Sequence, residues 1–237
     1  MAPKTPAGFR AAAALVKPAL LASTRRNWSG GENLPKDRGF IAVSNHVTYA
    51  DPFTFAHYLY DHGFAPHFLA KAPLFDIPVA GKFLAHLDQV PVHRGGSQAR
   101  DAVEASAKLL ERGDSIAVFP EGTLTRDPDL WPMLARTGAA RMALAYDVPV
   151  VPIAQWGAHR LLPQYSKRPS LFPRKTVTVK AGPPVDLEEF RGRPLDIEVL
   201  RAATDRIMAT LTSMLEEIRG ETAPAKPWDM RREGGGR

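Results

Sequence analysis

The sequence of 237 residues contains no cysteine and no long apolar run. Without cysteine there can be no disulfide bond, thiolate metal site or cysteine nucleophile, and the composition fits a reducing compartment. No stretch approaches the roughly 18–20 apolar residues that a membrane-spanning helix requires. A Gly-x-Ser-x-Gly segment, which would indicate a serine nucleophile on a strand-to-helix turn, is also absent. We expect neither a metal site nor a resident cofactor.

Acidic residues are scarce in two regions of a chain whose net charge is +6. Residues 1–38 hold seven Lys/Arg and two Asp/Glu, and residues 157–175 hold five basic residues and no acidic one. Such concentrations favour an anionic surface or anionic ligands, although solvated basic faces are the alternative. In residues 157–175 the charges alternate with apolar and aromatic side chains, a pattern suited to an anionic membrane interface. Because no nucleic-acid motif is recognised, no nucleic-acid partner is expected.

Three segments are predicted along the chain. Residues 1–38 form a basic, amphipathic helical segment, whose apolar run 9–22 is interrupted by Arg10, Lys17 and Pro18. This segment is expected to lie on a membrane rather than across it, with a helix packed on the domain as the alternative. Residues 39–219 form the main domain. Proline, charge and terminal glycines predict a disordered tail over 220–237.

Short β-rich runs alternate with helical patterns in the main domain. Strands are predicted over 40–44, 67–70, 89–92, 115–119, 148–155 and 176–181, and helices over 97–112, 133–146 and 196–219. This alternation predicts a single α/β domain with a mixed, mainly parallel sheet covered by helices.

A histidine and an aspartate follow the apolar run 40–43. His46 and Asp51 are five residues apart, and a regular helix would leave them roughly 140° apart, so the chain must turn between them. Asp51 and Pro52 are typical of a helix start, with the aspartate as N-cap. One interpretation is a general-base dyad, since histidine titrates near neutrality and a carboxylate can orient it. In the other, Asp51 only caps a helix and His46 is an ordinary loop residue.

A second polar segment, Phe119-Pro-Glu-Gly-Thr-Leu-Thr-Arg126, follows the predicted strand 115–119. Gly122 lets backbone amides approach a ligand closely. Glu121, Thr123 and Arg126 add an acceptor, a hydroxyl and a cation at the same strand end. Taken alone, this segment is a turn with polar side chains.

Together, the two segments resemble sequence blocks of the glycerolipid acyltransferases, most closely the bacterial 1-acyl-glycerol-3-phosphate acyltransferases, also called lysophosphatidic acid acyltransferases. Asn45-His46-x4-Asp51 matches the first block and Phe119-Pro-Glu-Gly-Thr123 the third. Residues 71–94 and 150–153 resemble the second and fourth, so the resemblance covers about half the chain. Two departures stand out: Pro73 replaces a usual glutamate, and Leu124 replaces a usual arginine.

The resemblance implies transfer of a fatty acyl group from acyl-CoA or acyl carrier protein, as co-substrate, to the free hydroxyl of 1-acyl-glycerol-3-phosphate. His46 would then act as the general base and Asp51 would orient it. The same resemblance implies substrate-binding positions at Lys71, Arg94, Glu121, Gly122, Thr123 and Arg126. Arg126 would take over the electrostatic role of the arginine missing at position 124, and Glu121 would accept a hydrogen bond from the acceptor hydroxyl.

Two other functions remain open at this level. Leu124 slightly favours a relative that acylates another lysophospholipid or a glycolipid. A non-catalytic module that binds membranes or nucleic acid is the second alternative, against which His46 and Asp51 argue. For the enzyme, peripheral attachment to the cytoplasmic face of the membrane is expected.

Overall fold

The structure of the protein, a computed structural model, describes residues 6–92 and 98–230. In these residues, seven strands form one sheet. They are β1 (Thr24–Ser29), β2 (Phe40–Val43), β3 (Pro66–Lys71), β4 (Val90–Val92), β5 (Ser115–Val118), β6 (Val150–Trp156) and β7 (Lys175–Ala181). The α-helices are α1 (Ala7–Ser23), α2 (Asp51–Asp61), α3 (Pro78–His86), α4 (Gln98–Glu111), α5 (Gly138–Ala145) and α6 (Ile197–Arg219).

The sheet is mixed and mainly parallel, as the sequence predicts. Its strand order is β1-β7-β6-β2-β5-β3-β4, and the pair β6–β7 is antiparallel, whereas every other pair is parallel. The strands β2, β3, β5 and β6 therefore run in one direction and end at the same edge. In open α/β sheets, ligands bind at this carboxyl edge.

Both faces of the central strand β2 are covered by helices. Ile41 and Val43 belong to the apolar cluster that includes residues of α4, α5 and α6, whereas Phe40 and Ala42 belong to the cluster that includes Phe55 of α2. Burial on both sides explains why this strand is continuously apolar instead of alternating. Each large apolar side chain buried there contributes about 1.5–3 kcal/mol.

The boundary predicted at residue 38 is wrong, because β1 is a strand of the main sheet. It pairs in parallel with β7, from Thr24 opposite Lys175 to Ser29 opposite Lys180. This strand is polar and lies at the end of the sheet, where charged residues protect an edge, so it has no apolar signature. Helix α1 is anchored by Phe9, which packs with Ala65 and Leu87. The helical segment is therefore docked on the domain.

The disordered tail predicted over 220–237 is also wrong over its described part. Helix α6 begins after Asp196, whose carboxylate caps two amides, and ends at Gly220 in the left-handed conformation. The chain then returns to the domain, where the Leu134 amide donates to the carbonyl of Trp228 at 3.0 Å. Residues 231–237 lie outside the described residues. Across the described ranges, no helix combines the length and the apolar character needed to cross a membrane.

Candidate active site

The carboxylate of Asp51 organises the loop that follows β2. Its Oδ2 accepts hydrogen bonds from the amides of Val47 at 2.5 Å and Thr48 at 2.7 Å, and lies 3.2 Å from Nδ1 of His46. Asp51 is the first residue of α2, and Ala50 occupies the N-cap position. The N-cap role predicted for Asp51 is therefore wrong, because its carboxylate turns back to the amides that precede the helix. This turn brings the histidine and the aspartate together.

The contact with Asp51 determines which ring nitrogen of His46 carries the proton. With the carboxylate as acceptor, Nδ1 carries the proton and Nε2 is left as the basic nitrogen. The imidazole stacks on the ring of Phe119, with centroids 4.0 Å apart and planes inclined by 18°. The His46 side chain is 14% exposed, so it is held firmly but remains accessible. Such a pair can remove a proton from a bound hydroxyl.

Glu121 supports the loop of His46 instead of facing a substrate. It is 1% exposed; Oε1 accepts from the His46 amide at 3.1 Å and Oε2 accepts from the Met133 amide at 2.9 Å. Burial raises the pKa of this carboxyl group to about 8, and the amide hydrogen bonds act in the opposite direction. Since both oxygens have backbone donors, the contact with an acceptor hydroxyl that the resemblance implied is not what this geometry offers.

Buried amide and hydroxyl groups join the ends of β2 and β6. The Asn45 side chain exchanges two hydrogen bonds with the Gln155 backbone, at 2.9 and 3.0 Å. The Gln155 side chain donates to Ser44 Oγ at 3.1 Å and accepts from Thr54 Oγ1 at 2.7 Å. Sequence reasoning missed Gln155, whose signal is a polar residue near the end of an apolar strand.

The remaining predicted substrate-binding residues differ in how the structure places them. Lys71 is exposed at the carboxyl end of β3, the same edge as the His46 loop. Thr123 is half-buried, and Arg126 is exposed, with no side-chain hydrogen bond or ion pair to any described residue. Arg94 lies outside the described residues. Leu124 is only 3% exposed, so this position belongs to the core.

The turn after β5 contains backbone amides that donate to no described residue. Gly122 has φ of +70°, a left-handed conformation that favours glycine, and its N–H donates to the carbonyl of Phe119 at 3.0 Å. The amide of Thr123 has no acceptor among the described residues. Unlike the amide of Gly122, this amide can donate to a ligand.

An arginine that sequence reasoning missed lies against this turn. A Cβ atom built on Gly122 would lie 3.0 Å from Nε of Arg136 and 3.2 Å from its Cδ. The backbone amide of Arg136 donates to the carbonyl of Pro120 at 2.9 Å. Arg136 comes shortly before α5, outside both sequence motifs, and no spacing rule connects it to Gly122.

The basic segment 157–175 packs on both motif loops. The Thr48 hydroxyl donates to the carbonyl of Leu162, and the side chains of Gln164 and Tyr165 donate to the carbonyl of Thr125 at 2.6 and 3.2 Å. Farther along, Phe172 is 70% exposed. The segment therefore closes one side of the site and carries exposed apolar and basic side chains next to it.

A set of large apolar side chains is exposed on α2, on α3 and in the turns that precede them. Phe53, in the first turn of α2, is 52% exposed. The set comprises Tyr49, Phe53, Leu74, Ile77, Val79 and Phe83. We call it the apolar rim. Two of its members are within seven residues of His46, so an apolar surface adjoins the polar site.

Among the described residues, no cluster of three metal-ligating side chains is found.

Three comparisons with known proteins agree on one family. A family model described as acyltransferase matches residues 25–156. A chloroplastic 1-acyl-sn-glycerol-3-phosphate acyltransferase of Brassica napus is 34% identical over 140 residues, which are 58% of this chain and 39% of that protein. The matched region thus spans about two fifths of that relative. The 1-acyl-sn-glycerol-3-phosphate acyltransferase of Bacillus subtilis is 28% identical over 179 residues, or 74% of this chain and 81% of that protein.

A solved structure extends the comparison to the fold. The crystal structure of the 1-acyl-sn-glycerophosphate (LPA) acyltransferase PlsC from Thermotoga maritima superposes with a TM-score of 0.68 at 26% identity. The match covers 91% of this chain and 81% of that chain. The structural match therefore extends beyond the family region, residues 25–156, which is little more than half of the chain.

Proposed function

Because the chain belongs to the acyltransferase family, we propose that it transfers a fatty acyl group to the free hydroxyl of 1-acyl-glycerol-3-phosphate, giving phosphatidic acid. The donor is a thioester, either acyl-CoA or acyl carrier protein. The names of the relatives support the acceptor. The observation that carries the proposal is the 3.2 Å contact between His46 Nδ1 and Asp51 Oδ2, which leaves Nε2 as a base in an accessible position.

The reaction begins with proton transfer to Nε2 of His46. The acceptor oxygen attacks the thioester carbonyl as its proton passes to the imidazole, and the C–O bond forms. The tetrahedral intermediate collapses, the C–S bond breaks, and the imidazolium returns the proton to the departing thiolate. Asp51 stabilises the imidazolium throughout. Positioned general-base catalysis of this kind contributes about 10²–10⁴-fold in rate.

The backbone of the second motif provides a donor for the developing oxyanion. The Thr123 amide has no protein acceptor among the described residues, whereas the Gly122 amide is used in the turn. We assign the Thr123 amide to the thioester oxygen, where a preorganised donor is most effective. Cations at Lys71, Arg94 and Arg126 remain the positions that the family resemblance offers for the acceptor phosphate.

The surface around the site suits substrates that enter from a bilayer. Tyr49 and Phe53 of the apolar rim are exposed aromatic residues beside the His46 loop, and segment 157–175 adds basic side chains. Apolar insertion combined with attraction to anionic headgroups is the usual basis of interfacial binding. The protein is therefore proposed to act as a peripheral protein on the cytoplasmic face of the membrane.

A second acceptor class is favoured by one observation. Leu124 is buried, so the cation that the family pattern expects at this position is missing. An acceptor without a phosphate monoester, such as another lysophospholipid or a glycolipid, is accordingly the alternative substrate.

The test is release of free thiol from acyl-CoA in the presence of lysophosphatidate. We expect wild-type turnover and a loss of about 10²–10⁴-fold or more in His46→Ala, because the base is removed. His86→Ala is the control, since His86 is exposed at the end of α3. Unchanged turnover in His46→Ala would refute the mechanism. Turnover with a phosphate-free acceptor alone would support the alternative substrate.

A further inference from the structure

The turn after β5 is flanked by the side chain of Arg136. The three heavy atoms nearest to a Cβ built on Gly122 all belong to this side chain: Nε at 3.0 Å, Cδ at 3.2 Å and Cζ at 4.0 Å. A Cβ at position 122 would crowd this side chain and require it to shift. The backbone of Arg136 also contacts the turn, because its amide donates a hydrogen bond to the Pro120 carbonyl. The guanidinium is thereby positioned beside the turn by backbone and by side-chain packing.

The charge of Arg136 is not neutralised by the carboxylates around it. No ion pair joins Arg136 to any described residue. The oxygens of Glu121 accept from the amides of His46 and Met133. Asp127 is buried, and its Oδ1 accepts from the amides of Asp129 and Trp131. A solvent-accessible guanidinium without a carboxylate partner is suited to bind an anion.

The same turn contacts His46, the proposed general base. Phe119 stacks on the imidazole of His46, and Glu121 accepts from the His46 amide. The guanidinium of Arg136 and the imidazole of His46 therefore both adjoin the turn over residues 119–123. An acceptor that places its hydroxyl at His46 would carry its headgroup within the same small region.

We propose that Arg136 binds the phosphate monoester of the acceptor and determines the preference for phosphate-bearing acceptors, in place of the cation absent at position 124. The proposal rests on the proposed function. Arginine can hold a phosphate with two parallel hydrogen bonds, which gives orientation as well as attraction. Arg126, the position expected from the sequence, is exposed, and its amide donates to Met133 Sδ.

The test compares two acceptors in four variants. KM and kcat are measured with lysophosphatidate and with 1-monoacylglycerol, which lacks the phosphate. Arg136→Gln is expected to raise the KM for lysophosphatidate about 10- to 100-fold and to change the values for monoacylglycerol less than about twofold. Arg136→Lys is expected to have an intermediate KM for lysophosphatidate, because lysine keeps the positive charge but cannot form two parallel hydrogen bonds with the phosphate. Arg141→Gln, an exposed arginine on α5, is the control and Arg126→Gln tests the rival position.

Several results would overturn the assignment. An unchanged KM for lysophosphatidate in Arg136→Gln would do so, as would a large increase confined to Arg126→Gln. Equal losses with both acceptors, accompanied by a lower melting temperature, would give Arg136 a structural role only. If the wild type does not acylate lysophosphatidate, the proposed function fails, and calorimetry with glycerol 3-phosphate decides the assignment separately. Binding that Arg136→Gln abolishes would support it, and absence of binding would overturn it.

Discussion

The loop after β2 and the loop after β5 leave the same edge of the sheet but are stabilised differently. In the first loop, Asp51 accepts from two backbone amides, and Asn45 is hydrogen-bonded to the Gln155 backbone. In the second, Glu121 is buried, but Arg126 and the neighbouring Arg136 are exposed. The proton transfer that we propose for the first loop requires a fixed distance, and buried hydrogen bonds hold that loop in place. The headgroup recognition that we propose for the second loop uses cations at the surface.

The largest test of this comparison is Asp51→Asn. The amide oxygen can replace Oδ2 and accept from the Val47 and Thr48 amides, but the neutral side chain no longer stabilises an imidazolium at His46. We expect kcat for thiol release to fall about 10²–10⁴-fold while the melting temperature changes little. Asp61→Asn, at the other end of α2, is the matched control, since Asp61 pairs with Lys17 and Arg26 on the surface. A loss below tenfold in Asp51→Asn would mean that the negative charge beside His46 does not limit the reaction.

The second test concerns Glu121, the buried carboxyl group that joins the two loops. Burial raises its pKa to about 8, above the ordinary value of 4.5 for a glutamate. Between these values the folded protein keeps a proton that the unfolded chain releases. The stability that this group contributes is thus present below about pH 4.5 and is lost as the pH rises through about 8.

Urea unfolding of wild type and Glu121→Gln at several values from pH 5 to pH 8 measures this effect. We expect the wild type to lose stability relative to the variant as the pH rises, with a slope of up to about 1.4 kcal/mol per pH unit. Glutamine also places an N–H₂ group against one backbone N–H, so Glu121→Gln should be destabilised near pH 5 by about 1–3 kcal/mol. Glu104→Gln, on the exposed face of α4, controls for charge alone. A difference that stays constant with pH would show that Glu121 is ionised throughout.

Sequence reasoning succeeded where the determining interactions were local or repeated. The strand β2 was recognisable because burial on both faces requires a continuous apolar run, and the contact between His46 and Asp51 because the two residues are close in the chain. Sequence reasoning failed at β1, because this edge strand is mostly polar and shows no alternation of apolar and polar residues. It also failed at Arg136, because its approach to Gly122 depends on the path of the chain between β5 and α5.

The smallest expected effect concerns the surface beside the two loops. Phe53 of the apolar rim is about half exposed, so inserting its outer half into a bilayer would gain about 1 kcal/mol. Phe53→Ser should therefore weaken sedimentation with phosphatidylglycerol-containing vesicles about fivefold. Ile197→Ser is the matched control, because Ile197 is equally exposed but begins α6, on the opposite face of the sheet. Equal losses in both variants would make vesicle binding a general property of exposed apolar residues. A loss confined to Phe53→Ser would place the membrane on the side of the dyad, where an acyl chain can reach His46 without leaving the bilayer.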